Sequence, residues 1–85
     1  MNESRVALIG IIVSSKESID QLIHLLSEYG EYIIGRMGLP YKERNISIIS
    51  IAMDAPGDVI SSLSGKLGML PGISTKTITP KQVNI

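Results

Sequence analysis

Val6-Ala7-Leu8-Ile9-Gly10-Ile11-Ile12-Val13 is a nearly unbroken run of aliphatic and β-branched residues. It is too short for a core helix, so its length and composition predict a buried strand. Ile46 to Met53, ISIISIAM, repeats the pattern later in the chain. Between and after these two runs the periodicity changes. Ser14 with Glu17 three residues on matches a capping box, and Ile19, Leu22, Ile23 and Leu26 then recur on one helical face. Gly30 is the expected stop of that helix. Tyr32 to Leu39 reads as a second strand, in which Gly35 and Gly38 mark a bulge or a close backbone approach. Pro40 to Asn45 is polar and reads as a hairpin loop.

Beyond Met53, the segment Asp54-Ala55-Pro56-Gly57-Asp58 reads as a turn into a second helix. There Pro56 is tolerated in the first turn and the acids favour the positive end of the dipole. Val59, Ile60, Leu63, Leu67 and Leu70 form its apolar stripe. Pro71-Gly72 breaks the chain, Ile73 to Thr79 is a last strand, and Pro80 to Ile85 is expected to be loose. The order βαββαβ predicts an α+β, ferredoxin-like two-layer sandwich in one domain spanning 1–85, with an ordered core of about 5–79. Right-handed crossovers put both helices on one face of a four-stranded antiparallel sheet, with the first and third strands central.

The helix-free face of such a sheet normally carries polar residues. Here Leu8 and Ile12 of the first strand and Ile46 and Ile48 of the third are expected on it. Covering about 400 Å² of apolar surface per subunit would contribute on the order of 10 kcal/mol, partly offset by association entropy. A homo-oligomer, dimer or tetramer, follows, with a solvent-exposed apolar face as the plain alternative. Gly65 joins the interface candidates. It sits in a helix where Ala would be better by roughly 1 kcal/mol, so close approach by another backbone or a ligand would explain it, as would an early helix end.

Chemistry is sparse. The 85 residues hold eight basic and eight acidic side chains, one His and no Cys. Thiolate chemistry, disulfides and cysteine-based metal centres are excluded. Zero net charge and three aromatic residues argue against a nucleic-acid surface. No run approaches a membrane span and no signal peptide is evident, so a cytoplasmic location is expected. His24 falls off the apolar helical face and reads as solvated, leaving no metal site and no cofactor. Ser64-Gly65-Lys66-Leu67-Gly68 fails as a phosphate loop: Ile60 stands where a Gly is required and Leu67 where Ser or Thr should follow the lysine. Arg36, between Gly35 and Gly38, reads either as an edge-strand partner for Glu43 or as an anion contact. No catalytic constellation emerges, so an enzyme is not expected.

GRMGLPYKERN (Gly35–Asn45) and LSGKLGMLPGISTKT (Leu63–Thr77), in this order and spacing, resemble the small regulators of the iron-only hydrogenase system of anaerobic bacteria. The resemblance implies a fold similar to ACT domains and to the ligand-binding domain of nickel-responsive repressors. Such domains pair through their sheets and bind small effectors at subunit contacts. It makes Ser14, Ser15 and Arg36 the candidate effector contacts. Nickel sensing does not carry over, because the family of repressors uses several His and a Cys. Only Met1 to Ser4 precede the first strand, so no DNA-binding arm is expected. Ser14-Ser15-Lys16 replaces the glycine often found in amino-acid-binding ACT domains, so amino-acid binding does not carry over either. The expectation is a regulatory domain sensing a small effector or a hydrogenase-system protein. The alternatives are a non-enzymatic assembly or partner-binding module and, less favoured, a small dimeric ferredoxin-fold enzyme.

Overall fold

A computed structural model describes residues 3–81. Its strands are β1 (Ser4–Val13), β2 (Ile33–Tyr41), β3 (Ile46–Pro56) and β4 (Ile73–Ile78); its helices are α1 (Ile19–Glu28) and α2 (Gly57–Gly68). The sheet order is β2-β3-β1-β4, all neighbours antiparallel, with both helices on one face. This is the expected ferredoxin-like α+β sandwich, with the two aliphatic runs at its centre.

Register explains the burial. Ile9 pairs with Ile51 and Ala7 with Met53, and all four are buried beneath the helices. Leu22, Leu26 and Tyr29 of the first helical segment and Ile60, Leu63 and Leu67 of α2 close that core. Leu8, Ile12 and Ile48 project to the other side, with Ile12 directly opposite Ile48. The glycine-marked bulge occurs between Ile33 and Gly35.

Several local expectations are corrected. Ser14 does not cap the first helix. Ser15 instead caps a short 3₁₀ turn, Lys16–Ser18, its hydroxyl accepting from the Glu17 amide at 3.2 Å, and α1 follows from Ser18 with no side-chain cap of its own. Ile23 is exposed, and Tyr29 extends the buried stripe in its place. α1 ends just before Gly30, which opens another 3₁₀ turn instead of a left-handed cap. Asp54 to Pro56 continue β3 because Ser4 to Val6 are there to pair with them. Pro40 and Tyr41 likewise extend β2 against Ser47 and Ile46, which shortens the hairpin turn to Lys42–Arg44 and Asn45. Of the tail from Pro80, residues 82–85 lie outside the described residues.

Candidate functional site

The topology brings three connections to one end of the sheet: the β1–α1 loop, the β2–β3 hairpin and the α2–β4 turn. The first two line a cavity of about 230 Å³, and the third packs behind the β1–α1 loop. One wall is Ser14, Ser15 and Lys16 with Ile19; the other is Pro40, Tyr41, Lys42, Asn45 and Ser47, with Val13 and Ile46 completing the lining.

Each wall is fixed by local chemistry. The amide and the hydroxyl of Ser14 both donate to the Gly72 carbonyl, at 2.8 and 3.0 Å. The buried Ser18 hydroxyl donates to the Pro71 carbonyl at 2.9 Å. The β1–α1 loop is thereby stitched to the α2–β4 turn. The hairpin wall ends at Asn45, which adopts left-handed backbone (φ 55°) and donates its amide to the Lys42 carbonyl. Asn tolerates that conformation better than most residues.

The lining contains two lysines, Lys16 and Lys42, and no carboxylate. Since its oxygen accepts from the Glu17 amide, the Ser15 hydroxyl keeps its own hydrogen to donate. Val13, Ile19 and Ile46 add an apolar floor. The site thus offers cationic and hydroxyl donors above an apolar floor.

Of the sequence candidates, Ser14 and Ser15 are brought together here. Arg36 is not: it stands mid-strand on β2, opposite Ile51, and does not line the cavity. Leu8, Ile12, Ile46 and Ile48 share the helix-free face of the sheet. Gly65 lies exposed on α2, in the other layer, with no atom close enough to touch a Cβ placed there. His24 is exposed in a shallow hollow between the helices, beside Asp20 and Lys66. Among the described residues no group of three or more His, Cys, Asp or Glu could hold a metal ion.

Sequence reasoning missed Lys16, Lys42, Asn45 and Ser47, which read there as a helix start, a polar hairpin loop and the beginning of the third strand. The signal was available in the topology. A βαββαβ order places the end of the first strand beside the β2–β3 hairpin.

A second cluster joins the helices. The Tyr29 and Ser62 hydroxyls lie 3.0 Å apart, and Lys66 Nζ sits 5.2 Å from the Tyr29 ring centroid. Lys66 first, and the Ser62 hydrogen bond second, hold the Tyr29 phenol below its ordinary value, and Tyr29 in turn raises the Lys66 ammonium. The pair braces α1 against α2, away from the cavity.

The sequence model of the TM1266-like family, described as "Iron-only hydrogenase system regulator, putative", matches residues 5–77. The uncharacterized protein TM1266 of Thermotoga maritima is 35% identical, with a TM-score of 0.88, covering 93% of this chain and 100% of that one. A formyltetrahydrofolate deformylase from Pseudomonas putida KT2440 matches at a TM-score of 0.63 and 12% identity, over 88% of this chain and 29% of that one. At that identity it shows the fold alone. Nothing among the curated proteins matches.

Proposed function

Because this chain belongs to the TM1266-like family of iron-only hydrogenase system regulators, we propose that it is a non-catalytic regulatory domain of such a system, acting in the cytoplasm. It pairs with further copies of itself through its open sheet face and senses a small effector in the cavity between the β1–α1 loop and the β2–β3 hairpin.

The observation that carries this reading is the apolar character of the helix-free face. Ile12 is 44% exposed, Met37 61%, Leu39 53% and Ile78 61%. Cross-strand register runs them into three rows: Leu39–Ile48–Ile12–Ser74, then Met37–Ser50–Gly10–Lys76, then Gly35–Ala52–Leu8–Ile78. In the middle row, Gly10 and Ser50 leave a shallow groove. Contiguous apolar surface on this scale is the mark of an interaction face.

Tyr41 and Ile46 pair across β2 and β3 on this same face, and they also line the cavity. A second copy covering the face therefore lies against the effector site. Effector occupancy and pairing are then linked, each biasing the other by the same factor. A partner from the hydrogenase system would read the assembled state.

Native mass spectrometry of anaerobically purified protein, followed by a denaturing spectrum, tests the reading. A dimer or tetramer that releases extra mass on denaturation supports both parts. A clean monomer overturns pairing through the sheet.

A further inference from the structure

Resting on the reading of the loop cavity as the effector site, we infer that the ligand is a small anion, carrying a carboxylate or phosphate group that Lys16 and Lys42 clasp from opposite walls. The chain as a whole is electrically balanced, with eight basic and eight acidic residues. The loop cavity nevertheless takes two lysines and no acid, although Glu17 and Glu43 are their immediate neighbours in sequence. Both acids stay out of the lining, so the concavity keeps positive charge without an internal counter-charge.

The remaining polar groups agree with an anion. Ser15 has its oxygen engaged by the Glu17 amide and its hydrogen free, so toward a ligand it is a donor. Ser47 adds a second hydroxyl and Asn45 a side-chain amide on the facing wall. Hydrogen bonds from ammonium groups to anionic oxygen are the stronger, charge-assisted kind. Ser14, by contrast, spends its hydroxyl on the Gly72 carbonyl and serves to place the loop.

Size limits the ligand further. A cavity of about 230 Å³ lies below the roughly 300–1,000 Å³ of sites for drug-sized molecules. It admits a phosphate or carboxylate with a short carbon skeleton, whose apolar part meets Val13, Ile19 and Ile46. The walls come from separate loops, one stitched to the α2–β4 turn and the other closed by Asn45, so the two lysine stems start from fixed backbone.

The test is a titration of the full chain, followed by amide proton–nitrogen NMR at constant ionic strength, with inorganic phosphate in one arm and succinate in the other. Saturable shifts confined to Ser14–Lys16 and Lys42–Ser47 are expected, and the arm that saturates at lower concentration identifies the group. Lys16→Gln and Lys42→Gln should each weaken binding about tenfold or more. Both positions are exposed, and an unchanged spectral dispersion verifies that the variants are folded. Shifts spread over Lys76 and Lys81 as well, or affinity that survives the double variant, overturn the inference. If the purified protein instead carries an uncharged or cationic compound that shifts the same amides, the anion class fails and the effector site stands. If no compound of any charge moves those amides, both fail.

Discussion

Ser14 and Gly72 are joined by two hydrogen bonds to a single carbonyl, the amide and hydroxyl of Ser14 both donating to the Gly72 oxygen. Gly72 can offer that oxygen because its backbone is left-handed, at φ +75°. The approach is also too close for a side chain: a Cβ at Gly72 would stand 2.5 Å from the Ser15 Cβ. Gly72→Ala is therefore expected to cost about 2–4 kcal/mol, through backbone strain and a clash together. Gly65→Ala is the matched control, since Gly65 lies in open space on α2. It should be neutral or stabilise by up to about 1 kcal/mol. Equilibrium urea unfolding measures both, and equal effects at the two glycines would refute the account.

The same seam contains a buried and an exposed serine, which separates two costs. Ser18 is 1% exposed and donates to the Pro71 carbonyl at 2.9 Å. Ser14 is exposed, and its amide keeps the Gly72 bond when the hydroxyl is removed. Ser18→Ala leaves a carbonyl partly desolvated and should cost about 1–3 kcal/mol, while Ser14→Ala should cost under about 1 kcal/mol. The reverse ranking in denaturant midpoints would mean that solvent reaches Pro71 freely.

The fold was legible because the two central strands announce themselves. Val6–Val13 and Ile46–Met53 are the two longest aliphatic runs, and the strands at the centre of this topology are the ones most covered by the helices. Local capping was not legible. Ser14 and Glu17 have the spacing of a capping box, but the Gly72 carbonyl, brought in from the far end of the sequence, claims Ser14 and leaves the cap to Ser15. Strand ends slipped for a related reason: Asp54–Pro56 look like a turn until Ser4–Val6 pair with them. Of the cavity, Ser14 and Ser15 were legible. The lysines were hidden because Lys16 and Lys42 look like ordinary solvated charges in sequence, and only the meeting of two loops gives them a shared space. Arg36 drew notice for its flanking glycines and lies elsewhere.

Thr75 carries a buried hydroxyl oxygen that has no hydrogen-bond partner among the described residues. The residue faces the helices, opposite Ile11, with its methyl 3.9 Å from the Cβ position of Gly68. Thr75→Val keeps the shape and removes the unmet polar group. It is expected to raise stability by about 1 kcal/mol, seen as a higher melting temperature. A loss of similar size would reveal that a water or a ligand satisfies the hydroxyl.

Ile12 lies on the open face of β1, one of the two central strands, opposite Ile48 on one side and Ser74 on the other. Half-exposed in the isolated chain, it tolerates a charge there without unfolding. In a two-fold pairing each substitution enters the interface twice. Ile12→Lys should weaken self-association by about 100-fold or more, from burying unpaired charge. Light scattering across a dilution series reads the shift. An unchanged assembly would put the contact on another surface.

Tyr29 and Lys66 set an alkaline signature for the helix pair. In the folded state the phenol lies below its ordinary value of about 10, chiefly through Lys66 and then through Ser62, and the Lys66 ammonium lies above its own. The sign follows from linkage. Tyr29 ionises earlier when folded, so its contribution to stability grows as pH rises through the lowered value, is full above the unfolded value, and is lost as pH falls. Lys66 contributes fully below its unfolded value and loses that contribution as pH rises through the raised one. The two overlap in a window between the lowered phenol and the raised ammonium. Within it, wild type should gain stability relative to Tyr29→Phe, and the gain should shrink at higher pH as Lys66 loses its proton. Ultraviolet titration of the phenolate should show one component below the ordinary value that Tyr29→Phe removes. Lys66→Met should move that component upward. A titration unaffected by Lys66→Met would assign the shift to the Ser62 hydrogen bond and release Lys66 from the helix pair.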